Sequence, residues 1–139
     1  RIENLGGTWA TVVHPGAFVS PSASIGEGCV IFAGAVVSGN SHLGRLVQVN
    51  FNAVVHHDDQ VGDLATLMGN VALGGNVRLG EGTFVGMGAQ VRQGISIGEW
   101  TLVGCGASVV RDLPPYCVAA GVPARPMRSY STREEMPAI

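Results

Sequence analysis

The stretch Val49-Asn50-Phe51-Asn52-Ala53-Val54-Val55-His56-His57-Asp58-Asp59-Gln60-Val61-Gly62-Asp63-Leu64-Ala65-Thr66-Leu67 carries an aliphatic residue at every sixth position. The same beat holds outward in both directions. It runs back through Leu43, Val37, Ile31, Ile25 and Val19 to Val13, and on through Leu73, Leu79, Val85, Val91, Ile97 and Val103 to Val109. Four residues after most of these aliphatics comes a small residue, as at Ala17, Ala23, Cys29, Ala35, Ala53, Ala65, Thr83, Ala89, Thr101 and Ala107. Glycine often follows the aliphatic directly, at Gly26, Gly44, Gly62, Gly80 and Gly98. A period of six suits neither an amphipathic helix nor an alternating strand. It suits a hexapeptide β-helix, an all-β parallel solenoid in which each hexad is one short strand and a corner. Three hexads close a triangular coil, so residues 18 apart stack at about the 4.8 Å strand spacing.

With 139 residues the chain is the size of one domain, and the solenoid takes nearly all of it. Residues 1–12 lie outside the hexad frame and read as a linker remnant following a preceding domain. Residues 13–113 form the solenoid, and residues 114–139, opened by Pro114-Pro115, form a C-terminal cap and tail that ends frayed or in a short helix. The formal net charge is −2, and all eight cations are Arg. That balance speaks against a nucleic-acid or membrane-surface partner, and no apolar run is long enough for a membrane span. Three Cys make no disulfide framework, and Cys29 falls on a small inward position, so a reducing cytoplasm is the expected setting.

Chemistry concentrates at His56-His57-Asp58-Asp59. Asp59 occupies the four-on position, which points toward the core, where an unpaired carboxylate costs several kcal/mol. Adding 18 to His57 gives Gly75, and adding 18 again gives Gln93. A titratable base is thus expected beside a glycine corner with a bare backbone amide, an arrangement suited to acyl transfer. A second column of small residues joins Met68, Gly86 and Gly104, with Gly69, Met87 and Cys105 beside it. Such a column lets a long, thin ligand lie against the backbone. His14 is expected in a structural turn and His42 on the surface. Strand alternation points His56 away from its neighbour, as a flank of the site.

The hexad array, the His-Asp corner and the ending Val109-Val110-Arg111-Asp112-Leu113-Pro114-Pro115-Tyr116 with Ala120-Gly121-Val122-Pro123-Ala124-Arg125 resemble the left-handed β-helix acyltransferases. Among them the chain is most similar to the sugar acetyltransferases related to sialic acid O-acetyltransferase and the UDP-amino-sugar N-acetyltransferases. The resemblance implies a homotrimer that uses acetyl-CoA, without a metal, to acetylate the amine or hydroxyl of a sugar or nucleotide-sugar in glycan synthesis. It implies His57 as the base and Asp58 as its acidic partner, although Asp59 is an equal candidate by position. It implies Gly75 beside the acetyl group and contacts to acetyl-CoA from Met87 and Cys105. Thr66 stands where the family has a second histidine against the cosubstrate, so a hydroxyl replaces a titratable ring. Arg111 and Arg125 are candidates for the CoA phosphates. Two other readings fit the fold: a non-catalytic scaffold β-helix and a γ-class carbonic anhydrase. The second needs three converging histidines, and no two here have that family's spacing.

Overall fold

The structure is a computed structural model that describes residues 7–137. Two-residue strands follow one another from Val12–Val13 to Ser108–Val109, one per hexad. The second residue of each is the frame aliphatic. From Ile31 to Val109 these point inward and are buried, with Val37, Leu43, Val49 and Val55 fully enclosed. The four-on residue follows at the corner and also points inward; it is small in most hexads, and Val47, Val71, Val77 and Ile95 take the place in others. Ala35, Ala53, Ala65, Ala89 and Ala107 are the small residues there, at zero exposure. Burying each aliphatic contributes about 1.5–3 kcal/mol, so the core is a sum of like layers.

Strands pair in parallel at a spacing of one coil, as Val36 with Val54 and Gln60 with Arg78. Three sheets result. Sheet A contains Thr66–Leu67 and Phe84–Val85, sheet B contains Val54–Val55 and Ala72–Leu73, and sheet C contains Gln60–Val61 and Arg78–Leu79. The outward residues differ between faces. Sheet B presents Phe18, Val36, Val54 and Ala72 before Gln90 and Ser108, whereas sheet C presents Ser24, His42, Gln60, Arg78 and Ser96.

The frame ends at Leu113, which bridges to Ile97. Pro114 and Pro115 have no N–H to continue a ladder. The strand Cys117–Gly121 then joins sheet A beside Leu102–Val103, and Ala124–Ser129 folds back antiparallel upon it. Leu113, Cys117, Ala119 and Ala124 are buried over the end of the core. The Tyr130 hydroxyl donates to the Trp100 carbonyl, and the tail makes one 3-10 turn at Arg133–Glu135. Residues 1–6 of the linker expected over residues 1–12 lie outside the described residues, as do residues 138 and 139.

Candidate active site

The corner 56–59 joins the sheet B strand Val54–Val55 to the sheet C strand Gln60–Val61. One coil on, the corner 74–77 joins Ala72–Leu73 to Arg78–Leu79. The pairings Val54 with Ala72 and Gln60 with Arg78 bracket both corners, so His57 stacks on Gly75 as the 18-residue rule predicts. The contact is close. A β-carbon placed on Gly75 would lie 2.5 Å from His57 Cε1 and 2.6 Å from Nε2. The imidazole therefore lies flat against a surface that only glycine leaves open. No acceptor among the described residues takes the Gly75 N–H.

Asp58 follows in the left-handed region at φ 60°, a conformation that Asp and Asn tolerate better than branched residues. Asn40 and Asn76 hold the same place on the coils either side, at φ 57° and 60°. This turn brings Asp58 Oδ2 to 2.8 Å from His57 Nδ1. Nδ1–H donates to the carboxylate, which leaves the lone pair on Nε2, the nitrogen against Gly75. The bond from His57 holds the Asp58 carboxyl below the ordinary carboxylate value, and the Asn40 side chain also bonds to it. Sequence reasoning missed Asn40, although subtracting 18 from 58 finds it. Both His57 and Asp58 remain about half exposed.

Asp59 does something different. It is fully buried. Its Oδ2 accepts the His56 N–H at 2.7 Å, and its Oδ1 accepts the Val77 N–H at 2.8 Å. Burial pushes its carboxyl up to about 6, against the pull of those two amides. Of the two carboxylates that the sequence left open as partners of His57, Asp58 touches the ring. The orientation expected for His56 is corrected. Its ring centroid lies 4.7 Å from that of His57, edge to face. Alternation holds along a strand but fails at a corner, where the left-handed residue Asp58 follows.

The other candidates lie elsewhere on the prism. Met87 and Cys105 stack on one corner column, between sheets A and B, and both are exposed. That edge is one whole face from His57, about 15–20 Å of near-extended chain at roughly 3.3 Å per residue. Thr66 points outward from sheet A, half a coil from His57. Arg125 is exposed on the antiparallel strand and donates to the Ala124 carbonyl at 2.9 Å. One chain thus brings together His57, Asp58 and Gly75, but not Met87, Cys105, Thr66 or Arg125. His14 Nδ1 accepts the Gly16 N–H in a turn, as expected. Cys29 is buried and its thiol donates to the Gly44 carbonyl. A shallow groove of about 490 Å³ crosses the outer face of sheet C past Gln60, Arg78 and Ser96, and does not include His57 or Gly75. Among the described residues no three His, Cys, Asp or Glu side chains group as metal ligands. No helix among them is long and apolar enough to cross a membrane.

No protein-family model matches the chain, and no curated protein does. Solved structures do. PerB from Caulobacter crescentus, in complex with CoA and GDP-perosamine, is 42% identical with a TM-score of 0.90, over 91% of this chain and 61% of that one. The acetyltransferase domain of PglB from Neisseria gonorrhoeae is 40% identical with a TM-score of 0.87, over 90% and 61%. The latter has also been solved with acetyl coenzyme A. WeeI from Acinetobacter baumannii is 25% identical with a TM-score of 0.87, over 91% and 62%. The chain spans about three fifths of the length of each of these structures. It has the left-handed hexapeptide-repeat β-helix of the sugar acetyltransferases, as its sequence resemblance implied.

Proposed function

We propose that this left-handed β-helix transfers the acetyl group of acetyl-CoA to the amine of a nucleotide-linked amino sugar. The observation that carries the reading is one cluster: an imidazole bonded at Nδ1 to Asp58, with its Nε2 face against Gly75. The likeness to PerB, solved with CoA and GDP-perosamine, favours an amine on a nucleotide-sugar over a hydroxyl. In this mechanism the acceptor amine attacks the thioester carbonyl carbon while Nε2 of His57 takes its proton. The carbonyl oxygen, becoming negative, accepts the Gly75 N–H. The tetrahedral intermediate expels CoA as thiolate, which takes the proton from the imidazolium. Asp58 stabilises that imidazolium and fixes the tautomer. A base so placed contributes about 10²–10⁴-fold, and one oxyanion donor about 10²–10³-fold.

The working form in this proposal is a homotrimer with the site between copies. Two features support it. Sheet B presents Phe18, Val36, Val54 and Ala72 outward, the apolar column expected at a contact. The two candidate columns also flank that same sheet. Three copies with sheet B toward a common axis would set the His57 edge of one against the Met87 and Cys105 edge of the next. Thr66 and Arg125 would then line the acetyl-CoA groove from the neighbouring copy. The free thiols of Cys29, Cys105 and Cys117 suit a cytoplasmic setting, where acetyl-CoA is made.

The test supplies acetyl-CoA and GDP-perosamine, follows thiol release, and identifies the acetylated product by mass spectrometry. Turnover that depends on His57 is the expected result. Acetyl-CoA binding without transfer to any of a panel of nucleotide-linked amino sugars would refute the acceptor class. Absence of acetyl-CoA binding would refute the reading as a whole.

A further inference from the structure

We infer that Asp59 is a positioning residue for the reaction, holding the His57 imidazole over Gly75 by tying the two stacked corners together through their backbone amides. One carboxylate spans both coils. Its Oδ2 takes the N–H of His56, the residue before the base, and its Oδ1 takes the N–H of Val77, two residues after the glycine. The frame does not call for this group. At the same place in neighbouring hexads stand Ala53 and Ala65, and the residues stacked on Asp59 are Ser41 and Val77.

The backbone ladder shows what the carboxylate changes. On this edge the N–H after the inward aliphatic bonds to the next coil's inward carbonyl. Ser20 donates to Val37, Ser38 to Val55, Gly74 to Val91 and Arg92 to Val109, all at 2.8–2.9 Å. By that rule His56 would donate to Leu73. Among the described residues no such bond is made, and Val54 pairs with Ala72 without a matching pair from Val55 to Leu73. The His56 N–H turns to Asp59 instead. The His56 carbonyl is held from inside as well, accepting the Ser41 hydroxyl at 2.7 Å. That hydroxyl is shared with the Ser38 carbonyl at the same distance, so the firmer hold on the residue before the base is the Asp59 carboxylate on its N–H.

This arrangement works against stability at neutral pH. Burial raises the Asp59 carboxyl to about 6, so the anion that accepts both amides is the disfavoured form of a buried acid. The charged groups facing it are His57 and Asp58 on its own corner. The neighbouring coils contribute the Val77 amide and the neutral Ser41 hydroxyl. Protonation would turn one oxygen from acceptor to donor and release one amide. The acid side of the rate profile then includes the proton taken up by Asp59.

The inference rests on His57 being the base. It is tested with Asp59→Ala and Asp59→Asn. Small or apolar residues hold this frame position elsewhere, at Ala53, Ala65 and the stacked Val77, so the fold accepts Asp59→Ala; the variant frees His56 to rejoin the regular ladder and leaves the Val77 amide without its acceptor. Relief of the buried anion is offset by the orphaned Val77 amide, so the expected result is a melting temperature close to wild type at pH 7 and an unchanged acetyl-CoA Kd by calorimetry. With these goes a kcat lower by about 10- to 100-fold, the scale of a small misplacement of a catalytic group. In Asp59→Asn the acid limb of kcat/KM should lose one proton and become less steep. Undiminished kcat in both folded variants would overturn the inference. So would a loss of activity matched by loss of melting temperature and acetyl-CoA binding, which marks a merely structural role. A nuclear Overhauser contact between the His57 ring and the Gly75 α-protons, lost in Asp59→Ala, reads the positioning without catalysis. If wild type transfers no acetyl group yet this contact is lost in the variant, the functional reading fails while the positioning stands. If the contact persists in the variant, the positioning fails.

Discussion

Adding one methyl group at Gly75 should uncouple activity from stability. In Gly75→Ala the new carbon would stand 2.5 Å from His57 Cε1, 2.6 Å from Nε2 and 3.0 Å from Nδ1. Unstrained carbon contacts lie at about 3.5–4.0 Å, so the ring must retreat by about 1 Å. It can do so cheaply. The side chain is 47% exposed, the ring swings into solvent, and Gly75 is not among the glycines at positive φ. The expected cost in unfolding free energy is below about 1 kcal/mol. The chemical cost is larger, because Nε2 leaves the place where the amine and the Gly75 N–H converge, and a displacement of that size lowers kcat by about 10²-fold. The assay is kcat at saturating acetyl-CoA and nucleotide-sugar, with chemical denaturation run in parallel. Gly39→Ala is the control. It lies on the same edge two coils from Gly75, where the added carbon meets only serine hydroxyls, Ser22 at 3.0 Å and Ser20 at 3.6 Å, and no ring. Full kcat in Gly75→Ala, or an equal loss in Gly39→Ala, would show that the ring and the glycine do not work as a unit.

Three further outcomes are expected. His57→Ala should lower kcat by about 10²–10⁴-fold and leave acetyl-CoA affinity nearly intact. His56→Ala should cost far less, since its ring meets His57 edge to face and does not lie on Gly75, and equal losses would mean the wrong imidazole was chosen. Val54→Lys should convert the proposed trimer to a monomer in light scattering and abolish transfer. A wild-type monomer that retains activity would remove the shared site. The stability difference between wild type and Asp59→Ala should depend on pH. The folded Asp59 carboxyl is raised to about 6 from 3.8, so between those values the folded chain keeps a proton that the unfolded chain has released. Relative to the variant, wild type should therefore lose on the order of 2–3 kcal/mol as pH rises through that window, and no more above it. Urea titrations at pH 4.5 and pH 7 with equal differences would show that Asp59 is not a buried acid.

The solenoid was legible because a period of six fixes every inward position, and an 18-residue step fixes every stacked pair. His57 on Gly75 follows from arithmetic alone, and so does Asn40 beneath Asp58. The same arithmetic puts Met87 two hexads out of phase with His57, so the separation of the two columns was also available in the sequence. Corner conformation was not. Whether Asp58 or Asp59 meets the imidazole depends on a left-handed turn at φ 60° and on which carboxylate follows the inward frame. Two adjacent residues of one type take opposite sides of the backbone there. His56 was misjudged for the same reason, since a strand rule was applied one residue past the strand.

The adjacent carboxylates divide the work according to solvent. Asp58 stays half exposed, bonded to Nδ1 and to Asn40, and its carboxyl is held below the ordinary value. It is therefore charged over the whole range in which a histidine can act as a base, and it can stabilise the imidazolium without itself taking up a proton. Asp59 is enclosed and raised to about 6, and it touches no reacting group. The neighbouring hexads carry Ala53 and Ala65 at this frame position, and the stacked coils carry Ser41 and Val77. The carboxylate instead takes the His56 amide out of the regular ladder and links it to the coil that carries Gly75. The position at which the repeat departs from its own chemistry is thus the one beside the proposed base, on the corner that stacks against Gly75.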